Sequence, residues 1–302
     1  MKKELNYLKD KFGKNVMFGE SLSKYNWFNL GGAAEIFFRP SSLDQLRDFY
    51  RDIKNLSKPV HVIGAGSNTL IRDGGVKGVV IKLGSKFSYL KKIQTNIIEV
   101  GAATLDKNLA NFAMENSIGG FEFMSCIPGS VGGAIVMNSG CYNEDISMII
   151  RSIKILNTNG EEVEIKKNDL QFFYRDSSIK KNCIIISAKF EGIIKNKDLI
   201  KKKQDDLINK KKETQPKNVK TCGSTFKNPP NLKAWKLIND SDCKNISVGN
   251  AKISNLHSNF LINTGNASSK DLETLMQTLK KRVEDKTGIS LELEIKLIGE
   301  QN

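Results

Sequence analysis

The chain has 302 residues, 39% hydrophobic and 26% charged, with a formal net charge of +14. That length allows two or three domains with a core in each, and that balance excludes a disordered chain. No apolar run approaches the roughly 18 residues that cross a bilayer, and two histidines with five scattered cysteines leave too few parts for a zinc site or a histidine-based nucleophilic triad.

The opening MKKELNYLKDKFGKN is basic, but no apolar stretch follows it, so it is not read as a secretory signal and the protein is expected in the cytoplasm. Cys126, Cys141, Cys183, Cys222 and Cys243 are odd in number and form no CxxC pair, which argues against a disulfide framework. Residues 59–63, PVHVI, predict a buried strand ending in the turn GAGSN. GVVIKL (78–83) and IIEVGAA (97–103) predict two more strands. TLDKNLANFAMEN (104–116) carries apolar residues every three or four positions and predicts a helix capped by Thr104. In residues 151–165 two alternating runs joined by Asn159-Gly160 predict a hairpin, and CIIISAKF (183–190) predicts a further strand.

A charged helix is expected over 194–213, broken at Gln215-Pro216. A domain boundary is placed there, giving 1–213, with lobes of about 21–73 and 74–213, and a second domain over 214–302. The last part predicts a short helix near 231–240 and a longer one over 269–287. The longer helix opens on the capping-box spacing Ser268 to Asp271 and stops at Gly288. Its apolar stripe is Leu272, Leu275, Met276, Leu279 and Val283. LELEIKL (291–297) predicts a final alternating strand with Leu291, Leu293, Ile295 and Leu297 on one face and Glu292, Glu294 and Lys296 on the other. The class is α+β with several short antiparallel strands.

Only 7 of the 47 cations are arginine. The excess charge reads either as lysine-biased composition or as a field that attracts anions such as nucleotides. The densest run, KKKQDDLINKKK (201–212), mixes acids and apolar residues at helical spacing and reads as a solvated helix face. No base-stacking aromatics are interleaved with it, which weakens a nucleic-acid reading.

Two glycine-rich segments stand out. VIGAGSNTLIRDGG (62–75) holds Gly64, Ala65, Gly66, Ser67 and Asn68 after a strand. It lacks the third glycine of the dinucleotide fingerprint and the GK[ST] of a Walker loop, so a tight turn and a phosphate cradle both fit. IPGSVGGAIVMNSGCYN (127–143) holds Pro128, Gly129, Ser130, Gly132, Gly133, Asn138 and Gly140. It reads as a pair of tight turns, or as backbone pressed against something flat or phosphorylated.

These two segments, with FFYRDS, CGSTFKNP, VGNAKISNLHSNFLINTG and LELEIKLIG, occur in one order over about Asn26 to Gly299. The set closely resembles the UDP-N-acetylenolpyruvoylglucosamine reductases, in the short form without the extra loop. The resemblance implies a two-lobed FAD-binding domain of the vanillyl-alcohol oxidase (PCMH) type, followed by a smaller α+β substrate-binding domain. It implies FAD as cofactor and NADPH as hydride donor. The partner is a UDP-sugar enolpyruvyl ether, with no metal, no nucleic acid, no membrane insertion and a monomeric chain. The residues named in the two glycine-rich segments are then cofactor-binding.

The implied chemistry adds hydride from flavin N5 to the terminal carbon of an alkene conjugated to a carboxylate. Charge develops as an enolate, which needs a stabilising cation and a proton donor to the adjacent carbon. Arg175 matches the family's guanidinium, which binds a carboxylate in bidentate fashion; taken alone it reads equally as a surface partner of Asp176. Glu294 matches the family's catalytic glutamate, which helps most when protonated; Glu292 reads as a solvated strand residue. Ser224 matches the family's proton donor, a weak acid that suffices against an enolate carbon when held rigidly. Gly223 would let the backbone approach the ligand. Tyr174, Lys217, Lys220, Lys227 and Asn228 are the implied substrate contacts, while His257 and Asn259 are expected to be structural. Cys126, Asp242, Cys243 and Asn250 depart from the family pattern. The competing readings are another flavin oxidase or dehydrogenase on the same scaffold, and a basic nucleic-acid-binding protein.

Overall fold

A computed structural model describes residues 2–54, 56–180 and 183–302. The chain folds as two compact units, each discontinuous in sequence. The first contains 1–18, 36–65 and 78–210; the second contains 19–35, 66–77 and 211–302.

The first unit holds a five-stranded antiparallel sheet in the order Glu162–Lys166, Ile150–Leu156, Ile184–Glu191, Ile97–Gly101, Leu90–Lys92. The hairpin expected at Asn159-Gly160 is present, with Leu156 opposite Glu162 and Gly160 at φ 77°. Asn157 Oδ1 accepts from the N–H groups of both Asn159 and Glu161, so the side chain organises the turn. One face of the sheet buries Ile98, Val100, Ile153, Ile155, Ala188 and Phe190 against the helix Asp106–Glu115. That helix starts later than expected and its cap residue is Leu105, without a side-chain cap bond. The Thr104 hydroxyl is drawn away, donating to the Tyr89 carbonyl at 3.1 Å. A second core gathers around the helix Leu43–Lys54, where the rings of Phe38 and Phe49 stack at 3.7 Å and Phe12 meets both edge-on. The charged helix, Lys197–Thr214, is not solvated all round. Ile200, Gln204 and Leu207 are buried, and Gln204 Nε2 donates to the Ala110 carbonyl at 3.0 Å.

The second unit is built on the helix Ser269–Thr287, whose ends lie where the sequence places them. Ser268 Oγ accepts from the Asp271 N–H, Asp271 Oδ2 accepts from the Ser268 N–H, and Gly288 closes the helix at φ 71°. All five residues of its apolar stripe are buried against the short helix Ala234–Asp240 and the antiparallel strands Ala251–Ile253 and Leu261–Asn263. The final strand is shorter than its alternation suggests, regular only over Lys296–Ile298, which pairs in parallel with Thr69–Ile71. Upstream of it the N–H groups of Glu294 and Ile295 share one acceptor, the Thr225 carbonyl, at 2.9 and 3.4 Å. A shared acceptor interrupts the two-residue ladder rhythm.

Candidate active site

In the first unit the two glycine-rich segments meet at Ser130. A Cβ on Gly64 would stand 2.4 Å from Ser130 Oγ, so a larger residue there would have to turn the serine side chain aside. Lys82 Nζ donates to the Gly64 carbonyl. Burial, with Arg39 adding like charge, holds the Lys82 ammonium below its usual range. The segment after Pro128 is not a pair of turns: Val131–Val136 is a short helix. Its entry is zipped to the chain before the helix Asp106–Glu115, with Asp106 N–H to Gly129 O at 3.1 Å, Val131 N–H to Thr104 O at 2.9 Å and Gly132 N–H to Ala102 O at 2.9 Å. Gly133 is exposed, and nothing closer than Ser130 Oγ, at 3.7 Å, would meet a Cβ there.

Asn138 is buried and its amide is fully used: Oδ1 accepts from Ser147 N–H, and Nδ2 donates to Phe173 O and Asp145 Oδ2. Through it the segment 127–143 is tied to the turn that carries Tyr174 and Arg175. Gly140 serves packing, since a Cβ there would lie 2.3 Å from the Glu144 carbonyl. Arg175 is half-buried at φ 57°, a left-handed conformation uncommon outside glycine and asparagine. Its Nη2 donates to the Gly140 carbonyl at 2.6 Å, and its guanidinium lies 5.0 Å from the centre of the exposed Tyr174 ring.

The second unit holds the rest of the first turn: Ala65 falls in one unit and Gly66, Ser67 and Asn68 in the other. Asn68 Nδ2 donates to the Glu294 carbonyl at 3.1 Å, and the Asn68 carbonyl accepts from Lys296 N–H. Cys222 is buried, with its thiol directed at the carbonyls of Thr69 and Gly66, at 3.3 and 3.6 Å. Turn, serine block and glutamate strand therefore form one construction.

Ser224 sits in a clamped segment. It bridges to Phe260, and its neighbour Thr225 donates to Asn259 O at 2.8 Å and accepts from Glu294 N–H at 2.9 Å. Asn259 is 4% exposed, and its amide brackets Phe226, accepting from that residue's N–H and donating to its carbonyl. The Ser224 hydroxyl itself makes no hydrogen bond among the described residues. Gly223 adopts φ 78°, and no atom lies within 4 Å of a Cβ placed there. Lys227 lies 3.6 Å from Glu292, Asn228 Oδ1 accepts from the first N–H of the helix Ala234–Asp240, and Lys220 reaches the Gly265 carbonyl at 3.5 Å. Lys217 is exposed. His257 packs its ring 4.7 Å from Phe260. Of the departures from the family pattern, Asp242 adopts φ 53°, a left-handed conformation that glycine takes at no steric cost.

Two consequences can be measured. Removing the Asn259 bracket with Asn259→Ala leaves a buried N–H and C=O of Phe226 without partners. A loss of roughly 2–4 kcal/mol is expected in denaturant unfolding. Burial pushes the Cys222 thiol from its usual 9.0 up to about 12. The folded state therefore keeps a proton that the unfolded chain releases. That contribution to stability is complete below about pH 9 and is lost as pH rises toward 12. Native protein treated with iodoacetamide at neutral pH should leave Cys222 unmodified in peptide maps, and the denaturation midpoint should fall from about pH 9 upward.

Lys82, Cys222 and Asp106 carry parts of this construction that the motifs do not announce. The lysine closing GVVIK and the cysteine opening CGST are legible as neighbours of the motifs; Asp106 is not, being one acid among many in a helical run. The residues present fit a flavin dinucleotide in the first unit. Bare backbone faces out at Gly133, and a half-buried lysine donates to the Gly64 carbonyl.

A family model described as "FAD binding domain" matches residues 34–166, and one described as "UDP-N-acetylenolpyruvoylglucosamine reductase, C-terminal domain" matches residues 215–298. Fold and site thus define an FAD-dependent oxidoreductase with a two-lobed flavin domain and a smaller α+β domain. A curated UDP-N-acetylenolpyruvoylglucosamine reductase of Pelagibacter ubique is 44% identical over 298 residues, covering 98% of both chains. That of Caulobacter vibrioides is 41% identical, covering 94% of this chain and 95% of its own. The crystal structure of the UDP-N-acetylenolpyruvylglucosamine reductase from Thermus caldophilus superposes with a TM-score of 0.80 at 29% identity, covering 94% of this chain and 98% of that one. The chain belongs to the UDP-N-acetylenolpyruvoylglucosamine reductase family. Among the described residues no helix is long and apolar enough to cross a membrane.

Proposed function

We propose that the protein reduces the enolpyruvyl ether of UDP-N-acetylglucosamine enolpyruvate to UDP-N-acetylmuramate with NADPH, as a cytoplasmic monomer serving peptidoglycan precursor synthesis. FAD, held by the glycine-rich segments at 64–68 and 128–140, would supply the redox chemistry, with NADPH as the hydride donor and the terminal alkene carbon as the acceptor. The Ser224 hydroxyl donates the proton to the adjacent carbon. Its segment is fixed on both sides by backbone bonds while the hydroxyl itself stays uncommitted, which favours protonation of one face only. Arg175 binds the substrate carboxylate and stabilises the charge that develops on it. Glu294 supports that charge from the strand that shares the Thr225 carbonyl. Lys217, Lys220, Lys227 and Asn228 bind the UDP portion, with residues 214–302 as the substrate domain, and Tyr174 contacts substrate beside Arg175.

The observation that carries this reading is the clamped, uncommitted Ser224 hydroxyl. The test is NADPH oxidation by purified protein. It should require the UDP-sugar enolpyruvate and ignore simple alcohols. Turnover of alcohols without the UDP-sugar would point to a different flavin oxidoreductase, and a colourless preparation that binds DNA would overturn both readings.

A further inference from the structure

The first glycine-rich turn leaves the strand Val60–Val62, which runs parallel to Val76–Ile81 with Val62 opposite Ile81. The register continues one step further, since the Ile63 N–H bonds to the Ile81 carbonyl at 2.9 Å. Gly64 and Lys82 therefore lie side by side where both strands end, and Lys82 Nζ donates to the Gly64 carbonyl. The strand before the lysine is apolar and buried at Val79, Val80 and Ile81, and burial works against its charged form. An ammonium kept at such a place serves something other than the core. The peptide between Gly64 and Ala65 is planar and trans, so its C=O and N–H point in opposite directions. With the carbonyl drawn to Lys82, the Ala65 N–H points away from the lysine. That N–H has no hydrogen-bond partner among the described residues, although Ala65 is half-buried. An unpaired N–H in a glycine-rich turn is a donor for an anion. The lysine also offsets the partial negative charge that the Gly64 carbonyl would otherwise set beside one.

We propose that Lys82 is a positioning residue for the cofactor: by holding the Gly64 carbonyl it directs the Ala65 N–H to a phosphate oxygen of bound FAD. The inference rests on the flavin binding assigned to residues 34–166. The diphosphate is the part of FAD that such a donor fits, because it carries the anionic charge. The lysine acts through the peptide, and its own ammonium lies on the carbonyl side, opposite the N–H.

The test uses the full chain with Lys82→Met, which keeps a long unbranched side chain without the donor, and Lys82→Arg, which keeps a charged donor. Flavin-stripped protein is titrated by fluorescence with FAD and with riboflavin, which lacks the diphosphate, and the melting temperatures of the flavin-free variants are measured beside it. Lys82→Met is expected to bind FAD about tenfold or more weakly and riboflavin as the parent does. Its flavin-free melting temperature should stay within about 3 °C of the parent's, since the half-buried Gly64 carbonyl can take a water in place of the lysine. Lys82→Arg should recover FAD affinity to within a few-fold. Parent-like FAD affinity in Lys82→Met would overturn the proposal. So would an equal loss for FAD and riboflavin, which marks a general part in shaping the unit. Where Lys82→Met fails to fold, Lys82→Gln decides: its shorter, neutral amide should also lose FAD affinity selectively, and a preference for FAD over riboflavin equal to the parent's overturns the assignment. None of these readouts needs the UDP-sugar, so they stay interpretable should the substrate assignment fail.

Discussion

The Ser224→Ala variant is expected to take hydride from NADPH at the parent rate, yet to pass it to the UDP-sugar roughly 10²–10⁴-fold more slowly, the usual worth of a positioned general acid. Folding should be untouched, because the hydroxyl makes no hydrogen bond among the described residues and the backbone clamp on Thr225 and Phe226 remains. Stopped-flow absorbance separates the two half-reactions: bleaching of the flavin on mixing with NADPH, then its return on mixing with substrate. Normal return of colour in the alanine variant would remove Ser224 from the chemistry. A slowed bleaching would instead show that the serine acts on NADPH binding.

Gly66→Ala is expected to abolish the folded second unit, with a loss above about 4 kcal/mol, which is the scale reserved for strain that has no route of relief. A Cβ at this position would stand 2.0 Å from the Tyr25 carbonyl and 2.7 Å from Asn26 Cα, both backbone atoms that cannot swing aside. The residue also holds φ 73°, and its carbonyl is already taken by the Trp27 N–H at 3.1 Å. Gly223→Ala is the internal comparison. It shares a positive φ of 78° but faces open space, so only the conformational part, about 1 kcal/mol, should appear. Soluble expression and circular dichroism of the two variants check the contrast. Similar behaviour of both would mean that the turn has room to move.

Both glycines are equally visible as letters, and only their surroundings tell them apart. The same holds along the chain. The helix Ser269–Thr287 could be read to the residue, because its cap, stripe and stop are local and agree with one another. The hairpin at Gly160 was equally legible, since an Asn-Gly turn fixes its own geometry. The helix Leu43–Lys54 carries a comparable apolar spacing at Leu46, Phe49, Tyr50 and Ile53, a signal equally available in the sequence.

Less local features did not show. Thr104 looks like a cap until the Tyr89 carbonyl claims its hydroxyl. LELEIKL alternates like a full strand, yet its first half yields to a carbonyl shared with Thr225. Gln204 lies in a run of charges and turns out to be buried on the Ala110 carbonyl. Each outcome depends on a partner distant in the chain, and no periodicity records which partner that is.

The sequence alone determined the family, through ordered blocks spread over nearly its whole length. It also determined the helix Ser269–Thr287 and the hairpin at Gly160, whose hydrogen bonds close within a few residues. Tertiary structure alone decided that the unit boundary falls inside the turn GAGSN, between Ala65 and Gly66. It decided that Asn259 and Cys222 hold the serine block in place, and that Asp106 is buried with no hydrogen-bond partner for its carboxyl among the described residues. The physical reason is the range of the forces involved. Propensity, capping and turn chemistry act between neighbours in the chain, whereas burial and the satisfaction of a buried polar group depend on whatever the fold brings beside it.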